Sequence, residues 1–189
     1  MTINTAVFDS FPILKTDRLT LRDIRLEDAE AIFKMRASGH VNRFMARHTM
    51  TEMEAAEALV QKTRDAYDNQ KAIGFAGILR DKKEIIGTCG LTNFDAPNLR
   101  AELGGELSVH YWGKKIAIEA VSTILDFGLN TVNLHAIESW IEPGNRGAIA
   151  VMERLGFVKE AHFRDKQFFK GEFRDMTVYT LFKGNEKLL

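Results

Sequence analysis

The stretch AELGGELSVHYWGKKIAIEA, residues 101–120, decides how the rest of the chain is read. Residues 101–109 read as a strand, and the paired glycines inside it, Gly104 and Gly105, mark either a bulge or a close approach of two backbones. Ile116, Ala117, Ala120, Val121, Ile124 and Leu125 recur at helical spacing, so a helix follows, with Gly128 placed to stop it. Between the two lies Tyr111-Trp112-Gly113-Lys114-Lys115-Ile116-Ala117, a strand-to-helix turn. The first amides of a helix lack intrahelical acceptors and carry partial positive charge, which suits such a turn to phosphate. Gly113 lets backbone approach a ligand, and Lys114 and Lys115 add charge. Taken alone, these residues describe an ordinary turn with solvated lysines better than a phosphate site, because no Walker or Rossmann spacing is present.

On the N-terminal side, residues 18–24 alternate polar and apolar, the period of a strand with one buried face. Residues 26–35 carry Ala29, Ile32, Phe33 and Met35 at helical spacing. Thr51 with Glu54 makes a capping-box pattern opening a helix through about Tyr67. Residues 73–79 and 84–94 flank the turn Asp81-Lys82-Lys83 and read as a hairpin. On the C-terminal side, residues 135–141 form a strand ended by Pro143-Gly144. Asn145 caps a helix with Ile149, Met152 and Leu155 on its apolar face, and Gly156 ends it. Residues 157–163 and 173–182 are strands joined around Lys170-Gly171. The order β-α-α-β-β-β-α-β-α-β-β is an α+β chain with mixed pairing.

Composition narrows the function classes. A length of 189 residues with 45% apolar content suits one domain over 1–189 around one core. Twenty-six basic and 26 acidic residues cancel, which argues against binding to nucleic acid through overall charge. The lone cysteine, Cys89, excludes an internal disulfide framework and fits a reducing compartment as a small core residue. Residues 1–10 lack a signal-peptide pattern, and no apolar run approaches the roughly 20 residues of a membrane helix. The expectation is a soluble, cytoplasmic protein. The five histidines show no metal-ligand spacing, so no metal site is expected.

Set side by side, Ala101-Glu102-Leu103-Gly104-Gly105-Glu106-Leu107, Tyr111-Trp112-Gly113-Lys114 and Ala117-Ile118-Glu119-Ala120 resemble the acetyl-CoA-binding core of GNAT-type N-acetyltransferases. The branch most similar is that of the RimJ/RimL ribosomal-protein N-acetyltransferases. Pro143-Gly144-Asn145-Arg146, Leu155-Gly156-Phe157, the opening Arg18-Leu19-Thr20-Leu21-Arg22 and the closing hairpin to Tyr179 extend the resemblance over about residues 13–183. It implies a GNAT fold: a central mixed, mostly antiparallel sheet of six to seven strands with about four helices. The fourth and fifth strands, residues 101–109 and 135–141, would splay to admit the pantetheine arm of acetyl-CoA.

The same resemblance implies site residues. Leu107, Ser108 and Val109 would pair with the arm like an added strand. Trp112 and the amides of Gly113, Lys114, Lys115, Ile116 and Ala117 would hold the pyrophosphate, and Asn145 would reach the pantetheine. An amine would attack the thioester directly, which requires loss of its proton. Glu102 and Glu106, four apart on one strand, share a face and are the candidate bases, their other reading being solvated carboxylates or partners of arginines. Two positions depart from the family pattern. Lys115 stands where a glycine is usual, and Ala148 where many relatives place a serine that protonates the thiolate. Tyr111 and Ser139 are substitute donors or structural residues. These departures leave an alternative open, a GNAT-like CoA-binding module or sensor with impaired transfer.

The acceptor side would be lined by residues 39–50 and by the hairpin near Phe168. His40, Arg43, Arg47 and His48 make the first segment basic, which suits an acceptor with a carboxylate or an acidic peptide unless these are solvated loop cations, and disfavours a strongly cationic acceptor. A protein N-terminus, a free amino acid, a polyamine and a drug amine stay open. Phe168, Phe169 and Phe173 flank a basic turn and either pack the closing hairpin, wall the acceptor site or stack bases. Edge strands allow a homodimer.

Overall fold

Alternation in residues 18–24 and the two apolar runs after them becomes an antiparallel succession: β1 (Leu14–Lys15), β2 (Leu19–Asp23), β3 (Ala72–Leu79), β4 (Ile85–Asp95) and β5 (Arg100–Leu107). The computed structural model describes residues 2–82 and 85–187. Met1, and Lys83 and Glu84 of the expected hairpin turn and strand start, lie outside the described residues. β6 (Ala136–Ile141) runs parallel to β5, and the hairpin of β7 (Val158–Phe169) and β8 (Glu172–Phe182) completes the sheet through β8. The order is β1-β2-β3-β4-β5-β6-β8-β7. Among the described residues five α-helices flank it: α1 (Ala29–Arg36), α2 (Gly39–Asn42), α3 (Met53–Asp68), α4 (Ile116–Asp126) and α5 (Arg146–Arg154). β1 and α2 raise the tally above the sequence expectation, and at two and four residues neither is long enough to show a period.

Two cores sit on opposite faces of the sheet. Ala101 and Leu103 of β5 join Ile116, Ala120, Val121, Ile124 and Leu125 of α4 on one side. Each buried Leu, Ile or Val among them contributes about 1.5–3 kcal/mol. Ile32 of α1, Ala56 and Val60 of α3 and Ala76 of β3 close the other side. Glu102, Gly104 and Glu106 alternate with the α4-facing residues of β5 and therefore lie on the α1 face.

Several local expectations change. Thr51 and Glu54 form no capping box: α3 starts at Met53, and its N-cap Glu52 makes no side-chain cap bond. The working acid at a helix entry is Asp28, which accepts from the Arg25 amide at 2.8 Å and from Arg22 at 2.7 and 2.8 Å. Gly128 does not stop α4, whose chain continues as a π turn through Phe127–Thr131. That glycine answers to packing, since a Cβ there would lie 2.9 Å from the side chains of Leu91 and Ile137. Residues 108 and 109 leave the strand, and Val109–Tyr111 forms a 3-10 turn.

The glycine pair resolves in favour of close approach. The β4–β5 register runs unbroken from Gly87↔Leu107 to Thr92↔Glu102, so no bulge sits at residues 104 and 105. A Cβ on Gly105 would meet Cys89 Cβ at 2.7 Å and the Thr88 carbonyl at 2.8 Å. A Cβ on Gly104 would meet nothing within 4 Å. Gly105→Ala is expected to destabilise the fold by about 1–3 kcal/mol through overpacking. Gly104→Ala should change it by less than about 0.5 kcal/mol, as at an open surface position. Urea unfolding of the two variants checks the contrast, and equal losses would overturn it.

Candidate active site

β5 and β6 pair only from Arg100↔Ala136 to Glu102↔Glu138. Beyond that point they separate, and the Ser139 hydroxyl donates across the opening to the Leu103 carbonyl at 3.2 Å. Successive residues of a strand turn their backbone groups to opposite edges. Leu103 faces β6, so Gly105 also turns its N–H and C=O into the gap. The gap opens into a cavity of about 670 Å³ whose walls include Leu103, Gly104, Gly105, Ser139 and Ala148.

At one mouth of this cavity stands the N-terminus of α4. Gly113 takes φ 72° and Lys115, the N-cap, takes φ 60° and ψ 13°, so the chain enters the helix through two left-handed residues. The turn is tied from outside. Arg18 donates to the Lys114 carbonyl at 3.0 Å, and its guanidinium and amide bind Glu119 at 2.6 and 3.0 Å. Thr16 donates a further short hydrogen bond to the same carboxylate. Partial burial pushes the Glu119 carboxyl up, but the bonds from Thr16 and Arg18 outweigh it and hold it below its ordinary value. The first-turn amides of α4 have no carbonyl one turn back to bind, and they lie beside the exposed side chain of Lys115. Tyr111 lies between Lys82 and Lys114, each cation 5.5 Å from its ring centre.

Trp112, Gly113, Lys115, Ile116 and Ala117 line the cavity, as does Leu107. Ser108 and Val109 do not offer the free strand edge expected of them. The Ser108 amide donates to the Ile86 carbonyl, its carbonyl accepts from Tyr111, and the Val109 carbonyl accepts from Trp112. The Leu107 carbonyl is taken by the Trp112 indole at 2.8 Å. Gly105 is the residue whose backbone groups face the gap, a role the sequence marked only as a close approach. Asn145 lines the cavity and caps α5 by accepting from the Ala148 amide at 3.2 Å. The Ser139 hydroxyl is spent on Leu103, and the Tyr111 hydroxyl accepts from Lys82 at 3.1 Å.

The two candidate bases separate in environment. Glu102 is half-buried and lies outside the cavity wall, in register with Glu138, which is paired with Arg100. Glu106 lines the cavity, yet its side chain is only 3% exposed. Arg36 binds one of its oxygens at 2.7 Å, Arg47 binds the other, and Thr88 donates at 3.3 Å. Arg47 in turn donates to Asn42 at 2.6 Å, and Asn42 donates to the Arg36 and Ser38 carbonyls. The basic segment therefore spends Arg47 inside the protein, while His40, Val41, Phe44 and Met45 form the cavity wall at this end. Arg36 and Asn42 were not singled out, and Arg47 was read only as part of a basic segment, because Glu106, the partner of both arginines, lies 70 and 59 residues from them. Phe168 and Phe173 stand exposed against each other, ring centres 4.9 Å apart, and are not part of the wall. Burial pushes the Cys89 thiol up to about 12, so it stays protonated.

An opened strand pair with a helix N-terminus and lysines at one mouth and an apolar wall at the other has the shape and charge to take a CoA thioester. Residues 18–158 match the family model of the acetyltransferase (GNAT) domain, and the chain belongs to the GNAT family as an acetyl-CoA-dependent N-acetyltransferase. It is 36% identical over 170 residues to the uncharacterized N-acetyltransferase p20 of Bacillus licheniformis, covering 90% of this chain and 96% of that protein. The structure of the ribosomal-protein-S5-alanine acetyltransferase of Vibrio fischeri superposes with a TM-score of 0.82 at 23% identity, over 93% and 99% of the two chains. RimJ of Mycobacterium smegmatis, solved in complex with CoA-disulfide, gives 0.80 at 22% identity over 87% and 82%. No helix among the described residues is long and apolar enough to cross a membrane.

The Glu119 anchor carries a pH signature. A carboxyl whose folded pKa lies below its ordinary 4.5 contributes stability that is complete above that value and lost as pH falls through the folded pKa. Glu119→Gln is therefore expected to lower the melting temperature at neutral pH and to flatten the loss of stability toward about pH 3. Thermal melts of both proteins across that range check it, and parallel curves would remove Glu119 as an anchor.

Proposed function

We propose that the protein transfers the acetyl group of acetyl-CoA to a primary amine by direct attack in a ternary complex. The observation that carries this reading is the continuity of one cavity through the opened strand pair, from Lys115 at the helix end to His40 and Phe44 at the other. The first-turn amides of α4, with Gly113, Lys114 and Lys115 beside them, hold the pyrophosphate. Gly105 offers backbone groups to the pantetheine arm, and Trp112 and Asn145 border it. Acetyl-CoA supplies the thioester carbonyl that the amine attacks. Its thiolate leaves without help from residue 148, where alanine carries no proton, and a thiol's modest pKa makes that departure tolerable.

The incoming amine must shed a proton. Glu106 is poorly placed to take it, since both its oxygens are already occupied as acceptors from guanidinium groups. Its role is to fasten the segment carrying Arg47 to β5. Glu102 is free of such partners on its own strand face, two residues from Gly104 and roughly 7 Å along the strand. Gly104 leaves that face open, so water can carry the proton from the cavity to Glu102. Glu102→Gln is expected to lower kcat by about 10²-fold while leaving acetyl-CoA affinity intact. An unchanged pH profile of kcat would remove Glu102 as proton acceptor.

Lys115 gives the cofactor side its own test. A left-handed non-glycine residue costs on the order of 1 kcal/mol, so Lys115→Gly should stabilise the fold by a comparable amount. The same change deletes a cation beside the phosphate site, and acetyl-CoA should bind a few-fold more weakly and with less salt dependence. Calorimetric titration at two ionic strengths measures this. Tighter binding by the glycine variant would show that the lysine obstructs the site, and no binding to either folded protein would refute the transfer reading.

A further inference from the structure

We infer that the acceptor is a primary amine carried on an uncharged, apolar body and seated on the Gly104 face of β5, with Gly104 setting how bulky that body can be. This rests on the reading of the cavity as the site of transfer. The two neighbouring glycines differ in what they do for the fold. Gly105 is demanded by the backbone of β4, whereas a side chain at Gly104 would meet nothing within 4 Å and its φ lies outside the left-handed region. Packing therefore does not account for the missing side chain at Gly104. What its absence does is leave open the α1 face of β5 just where β5 and β6 part.

Apart from His40, the walls facing that opening are apolar. Val41, Phe44 and Met45 come from α2 and the turn after it, and Phe44 is set by Gly144, whose Cβ position lies 3.0 Å from its ring. Charge sharpens the choice. Among the described lining residues Glu106 is the one carboxylate, and Arg36 and Arg47 surround it. The carboxylate nearest Gly104 on this face is Glu102, which the transfer needs as proton acceptor, so a second ammonium on the acceptor would compete for that group and would be stripped of water beside two guanidiniums, a costly arrangement. Arg43, 5.2 Å from the centre of the Phe44 ring, adds further positive charge near the wall. The guanidiniums of Arg36 and Arg47 are committed to Glu106, so an acceptor carboxylate gains no built partner from them. An apolar amine fits what remains.

The test is a panel of ethylamine, phenethylamine, phenylalanine and spermidine, read as kcat/KM from thiol release. A second readout is calorimetric titration of phenethylamine into the protein–CoA complex, where no transfer can occur. Phenethylamine should exceed spermidine and phenylalanine by about tenfold or more, the scale set by one mismatched group in an apolar pocket. Gly104→Val should lower kcat/KM for phenethylamine about tenfold more than for ethylamine and weaken phenethylamine in the titration, with acetyl-CoA affinity kept within about twofold. Gly104→Ala, which needs no room the fold lacks, should show the same trend at smaller size. Preference for spermidine or phenylalanine, or an equal loss for every amine, overturns the inference. Acetyl-CoA binding with no amine turned over overturns it alone, whereas failure of acetyl-CoA to bind removes the transfer reading beneath it.

Discussion

The parting of β5 from β6 is the constraint on which the rest of the molecule depends. Two parallel strands that separate after three residue pairs strand a row of backbone donors and acceptors, and such groups cannot stay buried without partners. Each is dealt with differently. The Leu103 carbonyl takes the Ser139 hydroxyl, the Leu107 carbonyl takes the Trp112 indole, and Gly105 turns its groups toward the cavity. The sheet survives the opening because each strand is satisfied on its other edge. β5 pairs with β4 as far as Leu107, and β6 pairs with β8 along its whole length, from Ala136 to Ile141.

A net charge of zero conceals a sorted distribution around that opening. Lys82, Lys114 and Lys115 gather at the α4 end, where Arg18 and Glu119 fix the turn rather than the ligand. At the far end Glu106 offsets one of the two charges of Arg36 and Arg47. Burying one carboxylate costs several kcal/mol unless its oxygens are matched, and here two guanidiniums and Thr88 match them. The match is also mechanical, because Arg36 belongs to α1 and Arg47 follows α2. One acid thereby holds the cavity wall of Val41, Phe44 and Met45 to β5.

What the sequence made legible was local. The Asn145 cap, the left-handed Gly156 after α5 and the apolar stripe of α4 depend on residues within a few positions of each other. The glycine pair was legible as a choice between bulge and close approach, and only the β4 partner decided it. Misreadings arose where distant contacts overrode a local signal. Gly128 looks like a helix stop and is instead a space for Leu91 and Ile137. Ser108 and Val109 look like strand, but the Ser108 amide is claimed by Ile86 and the chain turns. Glu102 and Glu106 are indistinguishable on a strand template, and what separates them is an arginine pair brought in from elsewhere.

Lys115 shows how a departure from a family pattern can be absorbed without closing a site. A glycine at the N-cap of α4 would take φ 60° at no cost, whereas lysine takes it against its own Cβ. The turn can hold that strain because its carbonyl and its helix are fastened independently, by Arg18 to the Lys114 carbonyl and by Thr16 and Arg18 to Glu119. With the backbone kept on the glycine-like path, the first-turn amides keep their direction. The side chain is exposed rather than packed beneath the turn. The substitution therefore exchanges backbone ease for a cation beside a helix N-terminus, and the strain it costs is of the same order as the attraction one exposed cation would return to a bound anion.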